Sequence, residues 1–177
     1  MTAFHKFAGA SVLSCALALP GMAQQTEVLF SHKNWQVELV AWEDGVIGCV
    51  ANVSSPGESF AMWTFQDSTV QLQFFSTSWS FAEGETANLQ VQIDRMAPWN
   101  LTAAELSQNS VLFTLPDSEA GVDFILEVAK GNRLFLRTED GGDVQNYSLA
   151  GSRASIDALI ECGEVITQQQ QSGNPFN

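Results

Sequence analysis

Ser152 lies where a predicted strand passes into a predicted helix, which is where acyl-transfer serines are found. The chain reads Leu149-Ala-Gly-Ser152-Arg-Ala154, so the order is right, but the glycine pattern of G-x-S-x-G is incomplete. Such a serine also needs a base, and a set of Ser152, His32 and an aspartate is arithmetically possible. Because serine is among the best helix N-caps, we predict that Ser152 caps the helix and that the chain has no catalytic residue.

Metal chemistry is poorly supported by the residue types. One histidine and two cysteines beyond residue 23 do not make a typical zinc site, since both cysteines are expected to be oxidised. The turn Thr138-Glu-Asp-Gly-Gly-Asp143 gathers three acids without the spacing of a calcium loop. The sequence therefore predicts no metal and no cofactor.

Aromatic side chains are the more informative chemical feature. On a strand, Phe60 and Met62 face opposite to Trp63 and Phe65, and a sheet covered on one side cannot bury both rows. Either a second layer covers both faces, or some rings form a binding surface. The candidate binding residues are Trp63, Phe65, Trp79 and Trp99; Trp99 follows Pro98 in a predicted connection and is expected to be the most exposed.

Charge narrows the choice of partner. The chain carries 20 acidic against 7 basic residues, for a net charge of −13. Such a chain repels nucleic acid and anionic lipid, so nucleic-acid binding is excluded. An acidic surface would also suit a basic enzyme target, which keeps an inhibitor or immunity-type role open.

The first 23 residues have the order of an export signal. Lys6 precedes an apolar run over residues 7–19, and Pro20-Gly-Met-Ala23 offers small residues for cleavage. We predict a signal peptide over 1–23 and a periplasmic or secreted protein with no membrane span after its removal. The alternatives are a membrane anchor, for which the run is short, and lipidation at Cys15, which lacks a convincing lipobox.

Two cysteines remain after the predicted cleavage. Exported chains with an even cysteine count usually pair them, so we predict a Cys49–Cys162 disulfide that ties the last helix to an early strand.

The remaining pattern predicts a mainly β, β-rich α+β fold: an antiparallel sheet or small sandwich with two or three short helices. A single domain is expected over residues 24–166, followed by a disordered Gln-rich tail over 167–177. The predicted strands are 35–42, 46–53, 60–65, 70–75, 87–94, 111–115, 134–137 and 144–149. The predicted helices are 102–108, which has a capping-box spacing, 117–130 and 152–162.

The chain carries, in this order, Trp35, Cys49, the strand Leu-x-Val-x-Ile-Asp94, the segment Tyr147-Ser-Leu-x-Gly-Ser152 that leads into a capped helix, and Cys162. It resembles small exported proteins common in alphaproteobacteria and, more distantly, the invasion-associated locus B group of periplasmic proteins. The resemblance implies a periplasmic β-rich domain and carries over no catalytic residue.

Together these features favour a non-catalytic periplasmic binding or accessory protein that acts through a protein or envelope partner. A secreted inhibitor or immunity-type protein is the first alternative. A small envelope hydrolase is the second, and a cavity that holds both Ser152 and His32 would favour it.

Overall fold

The structure is a computed structural model that describes residues 24–172, with side chains described for 24–169. Ten strands form one sheet in the order β1-β2-β3-β4-β5-β8-β7-β6-β9-β10, and every neighbouring pair is antiparallel. The predicted mainly β fold with an antiparallel sheet is confirmed. The elements are β1 (Gln25–His32), β2 (Trp35–Ala41), β3 (Ile47–Ser55), β4 (Glu58–Phe65), β5 (Val70–Ser76), β6 (Phe81–Ile93), β7 (Trp99–Gln108), β8 (Ser110–Thr114), α1 (Glu119–Lys130), β9 (Arg133–Thr138), β10 (Asp143–Ser148) and α2 (Ser152–Ser172).

Short turns make β2 to β5 a continuous meander. Pro56 and Gly57 alone connect β3 to β4, and Gly57 has a φ of +79°, which suits glycine. A Cβ at Gly57 would also come within 2.8 Å of Thr77 Oγ1. Residues 66–69 connect β4 to β5.

The sheet folds back over its own inner face, so that β10 lies across the core from β4. The Tyr147 hydroxyl donates to Gln145 Oε1 at 2.6 Å and lies 3.1 Å from the Ser59 carbonyl oxygen. Its ring centroid is 6.0 Å from that of Phe60. Burial, together with the nearby Glu58 carboxylate, raises the pKa of Tyr147 well above its ordinary value, so the phenol stays neutral and keeps its proton to donate.

Helix α2 closes the core against β1 to β4 and α1. Its buried stripe consists of Ile156, Leu159 and Ile166. Cys162 on the same helix is bonded to Cys49 on β3, with 6.1 Å between their Cα atoms and 113 residues between them in sequence. The predicted disulfide is confirmed, and it fixes α2 to the middle of the β2–β4 meander.

Residues 102–108 are part of β7, so the predicted helix there is wrong. Ala103 has a φ of +54°, and the register between β6 and β7 shifts opposite it, between Ala87 and Leu89. This bulge places Leu101 and Ala104 on the same buried side three residues apart. The capping-box spacing of Thr102 and Glu105 does not start a helix, because the segment pairs with β6 and β8.

Each helix buries only part of its apolar surface. On α1, Phe124 and Val128 are buried, Ile125 and Ala129 are partly buried against the core, and Val122 and Leu126 are exposed. On α2, Ile160 is 50% exposed.

The predicted disordered tail began at residue 167, but α2 continues to Ser172, so its first six residues are helical; residues 173–177 lie outside the described part. Strand β1 was not predicted, because as an edge strand it is almost wholly exposed and shows no alternation. The predicted signal peptide, 1–23, also lies outside the described residues.

Candidate functional site

The outer face of β2–β4, opposite the main core, carries a second and separate apolar cluster. Val40, Val50 and Ala61 are buried there, and the half-buried rings of Trp42 and Trp63 pack on them. Along β4 the side chains alternate, so Phe60 and Met62 enter the core while Trp63 and Phe65 face outward. The predicted division of these four residues between two faces is correct.

Three rings, those of Trp42, Trp63 and Phe65, adjoin one another on this face, and we call them the aromatic patch. The ring centroids of Trp42 and Trp63 are 5.7 Å apart, those of Trp63 and Phe65 6.1 Å, and those of Trp42 and Phe65 6.4 Å. The ring planes of Trp63 and Phe65 differ by 7°, and Trp42 is tilted by 41° and 34° to them. The rings of Trp63 and Phe65 are therefore stacked, and the Trp42 ring is tilted against both.

Gly48 on β3 gives two of these rings room against the strand backbone. It pairs with Val40 on one side and Phe65 on the other, so its missing side chain would face outward. A Cβ there would come within 3.2 Å of the Phe65 ring and 3.3 Å of the Trp42 ring. Both rings contact the sheet itself at this glycine.

Trp63 has its polar edge satisfied within the protein. Its indole N–H donates to Gln73 Oε1 at 2.9 Å, and Gln73 Nε2 donates in turn to Ser110 Oγ at 2.9 Å. This chain of bonds runs across the outer face from β4 to β8 and fixes the orientation of the indole. The part of Trp63 left for a ligand is thus the ring surface rather than the N–H group.

The electrostatic setting of the patch is acidic. From residue 34 to residue 94 the chain contains no lysine and no arginine, whereas Glu38, Glu43, Asp44 and Asp67 lie on β2 or in the turns that follow β2 and β4. Glu38 pairs with Val50, which pairs with Trp63, so its side chain shares the outer face with the patch. No basic residue of this part of the chain competes for the rings.

The other two predicted binding residues lie elsewhere. Trp79 packs against Phe81 at a centroid distance of 5.5 Å. Trp99 is not in a loop: it begins β7, donates its N–H to Glu127 at 2.7 Å, and meets Phe124 edge-on at 5.6 Å. The expectation that Trp99 lies in a connection is wrong: it is half-buried at the start of β7, with Glu127 and Phe124 of α1 against it.

Trp42 is the member of the patch that sequence reasoning missed as a binding residue. It follows β2, in which Val37 and Leu39 pack with the main core while Val40 belongs to the outer cluster. Extending that alternation by two residues from Val40 places Trp42 on the outer face. The signal was present in the strand pattern.

Ser152 and His32 line one open cavity of about 420 Å³ at the start of α2. The Ser152 side chain is nevertheless 1% exposed, and its hydroxyl donates to the Val128 carbonyl of α1 at 2.8 Å. That proton is committed to a backbone carbonyl rather than to an imidazole, and the oxygen is shielded from a substrate. The geometry does not resemble an activated serine.

The predicted capping role of Ser152 is corrected by the same contacts. The Gly151 carbonyl accepts the Ser155 amide at 3.3 Å, so Gly151, with a φ of +106°, occupies the N-cap position. Ser152 is the first helical residue, and its hydroxyl connects α2 to the last turn of α1. The residue joins two helices instead of capping one.

A second, apolar cleft of about 340 Å³ lies between α1, α2 and the β4–β5 turn. Met62, Val70, Ile156 and Leu159 line it, and Glu164 is the one charged residue among its described lining residues. The hydroxyls of Thr64, Ser68 and Thr167 also line the cleft, but none of the described lining residues is a histidine, lysine or cysteine.

No family model, no curated protein and no solved structure matches this chain. Among the described helices, none has the length and apolarity to span a bilayer. Within residues 24–169 no three histidine, cysteine, aspartate or glutamate side chains lie close enough to hold a metal ion.

Proposed function

We propose that this chain is a non-catalytic, exported binding or accessory protein that contacts a periplasmic protein partner through the aromatic patch. The observation that carries the proposal is the grouping of Trp42, Trp63 and Phe65 on the sheet face away from the core. Aromatic rings of this kind dominate the energetics of many protein interfaces because they bury much area at low entropic cost.

The scaffold supports such a role. A wide sheet with an internal disulfide holds the three rings in fixed positions, so little ordering is needed when a partner binds. A disulfide is also what an oxidising compartment such as the periplasm favours, which supports export. The resemblance to invasion-associated locus B proteins is in keeping with that compartment.

The hydrolase alternative has one observation in its favour, the cavity shared by Ser152 and His32. The burial of the Ser152 hydroxyl and its bond to Val128 weigh against it. If Ser152→Ala abolished a hydrolytic activity of the purified protein while the fold remained intact, the hydrolase would replace the binding role.

Site-specific photocrosslinking in intact cells tests the binding role. A photoreactive amino acid is placed at Asn52 or Gln71, which share the outer face with the patch, and in the control at Val144, which is 39% exposed on β10. We expect the same protein adduct at Asn52 and Gln71, none at Val144, and loss of the adduct when Trp63→Ala is added.

The matched control for that substitution is Trp79→Ala, another half-buried tryptophan outside the patch. Trp79→Ala should leave the adducts unchanged. The proposal is refuted if Asn52 and Gln71 yield no adduct, or if the adduct forms equally at Val144.

A further inference from the structure

We propose that the aromatic patch recognises arginine side chains on a basic segment of the partner, with the guanidinium stacked on the rings of Trp42, Trp63 and Phe65. This inference rests on the proposed function and names the chemistry of the partner. Two independent features of the outer face carry it: the arrangement of the rings and the distribution of charge.

The ring arrangement suits a cation. The three centroids form a nearly equilateral triangle with sides of 5.7, 6.1 and 6.4 Å. A cation placed over the face of one of these rings, within about 6 Å of its centroid, makes a cation–π contact. Because the indole N–H of Trp63 already donates to Gln73, the partner meets the electron-rich ring surface of this residue.

The charge distribution favours the same ligand. No lysine or arginine occurs between Lys33 and Arg95, and the side chain of Glu38 shares the outer face with the patch. Elsewhere the chain makes such a contact by itself: the Arg137 guanidinium carbon lies 5.3 Å from the centroid of the Phe135 ring. The patch presents three rings in the region where the sequence supplies no cation to cover them.

Arginine fits better than the other occupants of an aromatic surface. Its planar guanidinium stacks on rings while its N–H groups remain free to donate to oxygens at the rim, where Glu38 and Gln71 lie in the same cross-strand row as Trp63. A second copy of this chain would bring another net charge of −13 and is repelled. A nucleic acid or an anionic lipid is disfavoured for the same reason.

Titration calorimetry with short synthetic peptides tests the inference on the chain beginning at Gln24. The probes are an acetylated Gly-Arg-Gly-Arg-Gly amide and its counterparts in which lysine or citrulline replaces arginine. Citrulline keeps the planar shape but lacks the charge. We expect arginine to bind best, lysine more weakly, and citrulline not at all.

Trp63→Leu should weaken binding of the arginine peptide about two- to fivefold, the range for a cation on an exposed aromatic surface. Trp79→Leu, the matched control, should leave it unchanged. Phe65→Leu serves as a second variant if Trp63→Leu unfolds the protein, and thermal melts monitor folding. Glu38→Gln should reduce the salt dependence of binding while arginine stays preferred over lysine.

The inference is overturned if citrulline binds as well as arginine, if no peptide binds, or if Trp63→Leu leaves the affinity of the arginine peptide unchanged. If Trp63→Leu leaves the affinity unchanged, the net negative charge of the protein attracts the peptide and the rings do not. Failure here is distinct from failure of the proposed function. Crosslinks at Asn52 and Gln71 without any arginine preference would leave the partner surface in place and refute only its chemistry.

Discussion

The two faces of β4 carry similar side chains and have different consequences for the molecule. Phe60 and Met62 on the inner face are 0% and 1% exposed, whereas Trp63 and Phe65 on the outer face are half-buried. The inner pair packs among β2, β5, β10 and α2; the outer pair contacts Trp42 and the strand backbone. One strand thus supplies a core and a surface from alternate residues.

The inner and outer faces are stabilised by different contacts. The inner face has many redundant supports, including α2 and its disulfide to β3. The outer face depends on a glycine that gives the rings room and on one chain of side-chain hydrogen bonds through Gln73. Substitutions on the inner face should therefore affect folding, and substitutions on the outer face should affect recognition.

The largest expected effect comes from removing the inner support that crosses the sheet. The double substitution Cys49→Ala and Cys162→Ala opens a loop of 113 residues, and loop entropy sets an upper figure of about 4–5 kcal/mol for the loss of stability. Urea unfolding of the oxidised wild type and the double variant measures it. An unchanged unfolding midpoint would contradict the inference that this bond secures α2.

A direct comparison of the two faces follows from truncating one ring on each. Phe60→Ala should cost about 3–5 kcal/mol, as buried aromatics do, while Trp63→Ala should cost about half as much because its ring is already partly hydrated. Chemical denaturation gives both values. If Trp63→Ala proved the more destabilising, the patch would be a structural cover for Val40, Val50 and Ala61 rather than a binding surface.

Asp94 lies away from both faces of β4, so its substitution offers a comparison with the substitutions of Phe60 and Trp63. Desolvation acts to raise the pKa of Asp94, but hydrogen bonds from the amides of Asn132 and Arg133 outweigh it and hold the pKa below its ordinary value. The carboxylate joins the end of β6 to the start of β9, and Asp94→Ala should cost about 1 kcal/mol at neutral pH after allowing for its exposure. Asp94→Asn, which tolerates the positive φ of 52° there, is the matched variant.

The pH dependence of this contribution has a definite sign. Because the folded-state pKa is depressed, the stabilisation is complete above the unfolded pKa of about 3.9 and is lost as the pH falls through the lower folded value. The difference in unfolding free energy between wild type and Asp94→Asn should shrink below about pH 4. A difference that stayed constant down to pH 2 would contradict the assignment.

The substitution with the smallest expected effect on stability, Gly48→Ala, tests the binding role of the outer face most directly. Gly48→Ala places a methyl group 3.2 Å from Phe65 and 3.3 Å from Trp42, so both rings must shift slightly. The gain in strand propensity offsets the crowding, so we expect the free energy of unfolding to change by less than about 1 kcal/mol. Binding of the arginine peptide should nonetheless weaken. Unaltered binding would show that the position of the rings against Gly48 does not matter.

The sequence predicted those parts of the fold that depend on strong local patterns. β-Branched residues in β3, turn residues between the strands and the even number of cysteines after the predicted cleavage were sufficient to place the meander and its disulfide. Alternation on β4 also assigned Trp63 and Phe65 to the outer face. Such patterns are reliable because a strand has only two faces, so knowing one residue determines its neighbours.

What the sequence did not reveal depends on contacts with distant parts of the chain. A capping-box spacing predicted a helix where β7 lies, and only pairing with β6 and β8 identifies the segment as a strand. Trp99 is half-buried because α1, some twenty residues later, brings Glu127 and Phe124 against it. The hydroxyl of Ser152 reaches Val128, which local capping rules do not include. Tertiary partners decided each of these cases.

The disulfide has a further consequence for the integrity of the molecule. It closes the backbone into a covalent ring that contains β4 to β10 and most of β3. A protease that cuts one exposed turn inside that ring, such as the one around Gly141, releases no fragment. The nicked protein would migrate as a single species until a reductant separates its pieces, so proteolytic damage in an oxidising compartment could accumulate without loss of the assembled sheet.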